Sequence, residues 1–293
     1  MSEIQAIPRK ANPLAGFMRQ PKIYIKLPSQ GQYWTLGSIN IPENGELAVY
    51  SMTAKDELAF KTPDALLNGQ AVVDVIQSCV PAIKDAWKTP NIDLDALLIA
   101  IRIASYGEMM DVTHGVPNTE EIVEHRVDLR ILLDKMTSNV WEEAVEINND
   151  LTCFVHPLTY KHMSMTGMKA FETQKLMQAV NDDAMPEEQK LEIFNQSFNK
   201  MTDITVELIS DSIFAIQTPD TVVKEKKFIK EFLQNADKDV FLKIQTHLSQ
   251  MKENNGLPKL TVQSSEEQIE QGAPETYEVP IKIDNSDFFA PSS

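Results

Sequence analysis

Cys153, His156 and His162 are the side chains whose types and spacing come nearest to chemistry in this sequence. A Cys-x-x-His pair grips zinc when two further ligands complete a tetrahedron. A third ligand six residues on is conceivable, but the neighbourhood supplies no fourth, and Cys79 stands alone. The cluster therefore reads as a buried thiol and two ordinary histidines. Asp93-Leu94-Asp95 begins like a calcium loop, yet neither the glycine nor the twelfth-position glutamate follows, so these aspartates read as a helix cap. The chain has no dinucleotide fingerprint, no phosphate loop, no His-Glu-x-x-His and no Gly-x-Ser-x-Gly. Ten glycines in 293 residues leave few bare amides to cradle a phosphate. The residues thus nominate no catalytic group, no metal site and no cofactor.

Three other groups invite a role short of catalysis. Arg102 stands among Leu97, Leu98, Ile99, Ile101 and Ile103, where a guanidinium needs a carboxylate or several carbonyls. It reads as an internal clamp to an acid of the preceding helices, with an interface anchor as the other reading. Met163, Met165 and Met168 suit either core filling, the commoner use, or an adaptable docking surface. Lys224, Glu225, Lys226, Lys227, Lys230 and Glu231 alternate sign as a solvated helix side does.

The elements that must position these residues follow from periodicity. Residues 1–20 are basic and aperiodic and read as an extended arm. Ile23, Ile25 and Leu27 alternate with Lys22, Tyr24 and Lys26, a strand pattern. Asn44-Gly45 between residues 38–41 and 46–50 predicts a hairpin. Helices then take over: one capped by Thr53 and Asp56, one starting at Thr62-Pro63, one over residues 70–80, and an apolar one from Asp93 to Tyr106 that Gly107 stops. Residues 108–120 read as a loop, residues 123–133 as a strand or short helix, and residues 152–156 as extended. Later helices are expected over residues 168–180, 186–201 with 204–216 as continuation or separate helix, 222–234, and from Asp237 to Asn254. In the last of these Phe241, Ile244, Leu248 and Met251 form a core-facing stripe. Residues 262–276 read as a connector. The fold class is α+β, mainly α: a small N-terminal antiparallel β unit packed with helices, then a helical C-terminal half with an acidic tail. The expected divisions are 1–20, 21–150, 151–256 and 257–293.

Composition narrows the partners. With 42% hydrophobic residues the chain can bury a real core, and a net charge of −16 repels polyanions, so nucleic acid is disfavoured. The acid gathers late: residues 260–293 hold seven acidic side chains against Lys282 alone. The longest apolar stretch, Leu94 to Tyr106, is too short and too interrupted to span a membrane. The start Met1-Ser-Glu-Ile-Gln lacks the pattern of a secretory signal, and two cysteines suit a reducing compartment, so a soluble protein made in the cytoplasm is expected.

An ordered set of segments resembles the T-even-type bacteriophage baseplate protein family. It comprises Tyr24-Ile-Lys-Leu-Pro-Ser-Gln-Gly, Met52-Thr-Ala-Lys-Asp-Glu, Thr62-Pro-Asp-Ala-Leu-Leu-Asn-Gly and Val75-Ile-Gln-Ser-Cys-Val. It continues with Leu98-Ile-Ala-Ile-Arg-Ile-Ala-Ser-Tyr-Gly, Val127-Asp-Leu, His156-Pro-Leu-Thr-Tyr-Lys, Phe171-Glu-Thr-Gln-Lys and Asp284-Asn-Ser-Asp-Phe-Phe. Relatives of this type often carry paired cysteines after the Ser-Tyr-Gly helix and again before the Phe-Phe terminus. Here Val116-Pro-Asn-Thr-Glu and Gln263-Ser-Ser-Glu-Glu replace them, so no metal expectation transfers and both loops are expected to be free.

The resemblance implies a structural baseplate hub subunit or hub assembly protein that works by stoichiometric protein–protein binding. Its partners would be other hub proteins and the tape-measure protein, with self-association also compatible. A transient tail assembly chaperone, absent from the mature virion, is the alternative; a metal-dependent enzyme on Cys153, His156 and His162 is a third reading. Host cytoplasm during assembly and the virion baseplate are the expected locations. Tyr24, Tyr33, Trp34, Phe288 and Phe289 are the candidate interaction residues.

Overall fold

The computed structural model describes residue 14 and residues 17–60, 69–136, 140–179 and 186–281. Most of the N-terminal arm, the Thr62-Pro63 helix start and the Phe288-Phe289 terminus lie outside these residues. The chain folds as mixed α and β, mainly helical, with small antiparallel sheets.

The first core is built around one helix. Strand β1 (Pro21–Ile25) pairs antiparallel with β2 (Leu47–Tyr50), Ile25 opposite Leu47. This corrects the expected hairpin. Asn44-Gly45 does turn the chain, with the Gly45 N–H on the Pro42 carbonyl at 2.8 Å and Gly45 at φ 75°. The strand leaving the turn, however, pairs with β1, and Ile39 bridges to Ile83. That pairing sends Leu47, Val49 and Ile25 into one shared core, which outweighs a local hairpin. Helix α1 (Ala54–Phe60) opens as expected: the Thr53 N–H and hydroxyl both donate to Asp56 Oδ2, and the Asp56 N–H donates to Thr53 Oγ1. Helix α2 (Gln70–Cys79) follows, and then α3 (Asn91–Tyr106), which is buried almost all round, as a helix apolar on every side must be. Gly107 at φ 91° ends α3.

One expectation about α3 changes. Neither aspartate caps it; Pro90 holds the cap position, and Asp93 is buried in the first turn, where it takes hydrogen bonds from the turn after β1. Arg102 is 1% exposed, with its guanidinium 5.2 Å from the Tyr106 ring centroid. Burial lowers its pKa, while Tyr106 and Asp111, which follow it in the chain, oppose that shift. It is an internal group.

Residues 108–120 are mostly strand rather than loop. β3 (Met109–Gly115) and β4 (Ile122–Asp128) form a hairpin in which only residues 116–121 turn, and α4 (Leu129–Met136) returns to the first core. The second core lies under a four-stranded antiparallel sheet of β5 (Ala144–Asn148), β6 (Leu151–Val155), β7 (Ile213–Gln217) and β8 (Val222–Val223). Between β6 and β7 the chain makes a long helical hairpin, α5 (Tyr160–Ala179) and α6 (Glu187–Ser212). After β8, α7 (Lys226–Asn235) and α8 (Lys238–Asn254) cover the sheet. Ile244 and Met251 are buried there, with Phe241 and Leu248 packed against the cluster, so the stripe read in α8 faces the core. The helix expected over 222–234 gives its first residues to β8.

The expected connector is also ordered. β9 (Leu260–Gln263) pairs with β10 (Thr276–Val279) around α9 (Glu266–Glu270), which Ser265 and Gln268 close in a capping box. Val262, Ala273, Tyr277 and Val279 pack on Val116 of the β3–β4 turn. The Asn118 amide donates to the Gly272 carbonyl at 3.2 Å, and the Gln268 amide to Glu121 Oε2 at 3.1 Å. The two cysteine-free segments are thus not loose loops. Apolar contacts join them to each other.

Candidate association surface

The α5–α6 hairpin is anchored at its base from both cores. The Asn91 N–H donates to the Leu158 carbonyl and the Tyr160 N–H to the Thr89 carbonyl, each at 2.8 Å, while Trp87 stacks on Tyr160 at 5.6 Å. At the other foot α6 runs straight into β7. Lys226 secures that junction, its ammonium donating to the carbonyls of Ser210, Asp211 and Ile213 at 2.8–3.0 Å. Burial lowers the pKa of Lys226. Lys226 is exposed, as the rest of that charged run is, yet its ammonium also satisfies carbonyls that the end of a helix leaves open. Along the hairpin, Lys169 Nζ meets Glu207 Oε2 at 2.7 Å.

Away from its base the hairpin buries little. Thr173 is the buried residue of α5 among those described, and Ser197 that of the first half of α6. Yet the composition is not that of a solvated helix. Leu191, Phe194, Phe198 and Met201 are exposed by 63, 49, 62 and 38%. Their spacing of three, four and three residues puts them on one stripe of α6, and the same spacing continues to the half-buried Thr205 and Leu208. Those last three residues, Met201, Thr205 and Leu208, line a groove of about 380 Å³ whose other walls include Trp141 and Ala170, with Leu248 and Lys252 of α8. One continuous apolar strip therefore runs from the outer hairpin into a groove at its foot. Contiguous exposed apolar surface of this kind marks an interaction site. On α5, Met165, Met168 and Phe171 are exposed as well, so two of the three methionines of this run face water, while Met163 is half-buried.

The residues nominated from the sequence occupy varied places. Tyr24 is exposed on β1. Trp34 is half-buried, packs against the first core and donates its indole N–H to Asp93 Oδ2 at 2.7 Å. Tyr33, at φ 67°, packs against the second core and edge-on to His156 at 5.0 Å. Burial and a hydrogen bond to Glu143 push its hydroxyl up to about 12. Phe288 and Phe289 lie outside the described residues. The α6 strip was not nominated at all. Its spacing is visible in the sequence, but so is that of Ile193, Ser197 and Ile204 on the adjoining face, and spacing alone does not say which face meets water.

The one metal-like cluster does not assemble. Cys153 is fully buried against the second core, and burial pushes its thiol up to about 11. A thiolate, the form that binds metal or attacks, is therefore strongly disfavoured. His156 stacks on Phe214 at 3.7 Å with Glu143 at 3.6 Å, and burial lowers its pKa. His162 is exposed and shares a hydrogen bond with Thr159. Among the described residues no three His, Cys, Asp or Glu side chains group so as to hold a metal ion. Among them, too, no helix is long and apolar enough to cross a membrane.

Comparison with known proteins gives one match. The family model described as T4 bacteriophage base plate protein matches residues 19–268. No curated protein and no solved structure matches the chain significantly.

Proposed function

We propose a binding rather than a catalytic role for this chain, which belongs to the T4 bacteriophage base plate protein family. In this reading it is a component of the baseplate hub, joined to other tail proteins in fixed stoichiometry, with the tape-measure protein among the neighbours it could contact. The observation that carries the reading is the apolar strip of α6 with the groove at its foot. Covering such surface drives association by about 25 cal/mol per Å² before the costs of ordering are met. Tyr24 and the Phe288-Phe289 terminus are secondary docking points in the same reading. The buried, protonated thiols and the scattered histidines support the absence of chemistry.

Co-expression with the other proteins of the baseplate tests this. A complex of fixed stoichiometry is expected, and Phe198→Asp should weaken it while leaving the melting temperature unchanged. Recovery of the same complex from the variant would remove α6 from the interface. Turnover of a small molecule, abolished by changing one polar side chain, would overturn the non-catalytic reading altogether.

A further inference from the structure

We propose that the strip of α6 pairs with the same strip of a second copy of this chain, antiparallel about a twofold axis between Phe198 and Met201. The proposal rests on the reading of α6 as an association surface and names a second copy as the occupant of the strip, the pair being the unit that joins the other tail proteins.

The spacing carries the geometry. Leu191, Phe194, Phe198, Met201, Thr205 and Leu208 alternate steps of three and four, the seam of a two-helix coiled coil. Such a seam reads the same in both directions, so one twofold operation sets Leu191 on the partner's Leu208, Phe194 on the partner's Thr205 and Phe198 on the partner's Met201. The two ends of the strip are unlike in the way this requires. One end projects large exposed side chains, and the other is a groove around Leu208. An isologous interface needs knob and hole on the same surface, each meeting the other across the axis.

Charge agrees. The positions flanking the seam are Lys190, Asn195, Ser197, Thr202, Ile204 and Ile209, so Lys190 is the one charge among them. The acids Glu192, Asp203 and Glu207 fall on other faces of the helix, which keeps a chain of net charge −16 from repelling itself along the contact. Beyond Leu191 stand Glu187 and Glu188. The antiparallel arrangement sets Glu187 on the partner's Ser212, in the groove that Lys252 also lines, and Glu188 on the partner's Asp211, an acid that Lys226 already acts on within each copy. Lys252 already acts electrostatically on Asp95, so a partner carboxylate would extend an existing pairing. A contact of this length buries on the order of 500–600 Å² per copy, at the small end of specific interfaces, which predicts a dimer of roughly micromolar affinity.

Sedimentation of the purified full chain at about 100 μM is then expected to give twice the 33.0 kDa of one copy. Phe198→Asp should raise the dissociation constant by at least about 30-fold without moving the melting temperature. Register is read by cross-linking. Copies carrying Phe194→Cys should oxidise to copies carrying Thr205→Cys, whereas Phe194→Cys alone should not, since those positions would lie about 16 Å apart. Both native cysteines are buried and should not compete. A monomer at that concentration, or ready cross-linking of Phe194→Cys to itself, overturns the proposal. A monomer that still joins baseplate proteins through Phe198 sinks the dimer and leaves the functional reading standing. A dimer that binds no baseplate protein does the reverse.

Discussion

The indole N–H of Trp34 donates to Asp93 Oδ2 at 2.7 Å, fastening the turn after β1 to the first turn of α3. The same carboxylate accepts the backbone N–H of Ser29 at 2.8 Å and the Ser29 hydroxyl. Burial pushes the Asp93 carboxyl up to about 6 even though all three donors favour its charged form. Three donors converging on one buried acid make this turn a structural joint, and both Trp34 and Asp93 belong to it.

Asp93→Ala should therefore leave the indole N–H of the half-buried Trp34, and the amide and hydroxyl of the buried Ser29, without this acceptor. Loss of about 2–4 kcal/mol of stability is expected, read from the urea midpoint at neutral pH. A change under about 0.5 kcal/mol would mean that the turn is not held by this acid.

Asp95 gives a pH signature. Burial pushes its carboxyl up to about 6, opposed by Lys252. An acid whose pKa is higher folded than unfolded binds its proton more tightly in the fold. The fold is thus penalised while that acid is ionised, above about pH 6, and the penalty fades as pH falls through that value. Asp95→Asn should stabilise the protein by about 1–2 kcal/mol near pH 7, and the advantage should shrink toward about pH 4. Denaturation curves across that range check it, and a pH-independent difference would be inconsistent with the burial.

Lys226 donates to three carbonyls where α6 becomes β7. Replacing it by methionine keeps the stem and removes the donors. A loss of about 1–3 kcal/mol is expected, with amide exchange accelerated at residues 210–216 ahead of the rest of the sheet.

Gly69 precedes α2 at φ 77°, and a Cβ there would come within 2.7 Å of Ser164 Oγ and 2.9 Å of the Tyr160 hydroxyl. Gly69→Ala combines a left-handed backbone with a clash against α5, so about 1–3 kcal/mol of destabilisation is expected. Adding Ser164→Ala should recover part of it in a double-mutant cycle. Strict additivity would show that α2 and α5 do not meet there.

Local patterns in the sequence were legible where the decisive contacts are also local. The Thr53–Asp56 box, the stop at Gly107 and the α8 stripe each depend on residues a few positions apart. The partner of β2 was not legible, because choosing β1 over a neighbouring strand depends on sharing a core with Ile25 and α3. Residues 262–276 look like a connector by composition. They fold because Val262, Tyr277 and Val279 reach Val116, far away in the chain. The same limit hid the candidate site. Trp34 and Tyr33 look like exposed anchors until Asp93 and Glu143 are placed beside them, whereas Phe194 and Phe198 look like core until their surroundings turn out to be water.

Whether this protein acts through α6 is read from particles assembled with Phe198→Asp in place of the wild-type chain, by counting its peptides against those of other baseplate proteins in purified tails. A fixed ratio is expected for the wild type, and a marked fall in that ratio, or in the yield of complete tails, for the variant. An unchanged ratio and yield would contradict the assignment of α6 as the surface through which this protein acts.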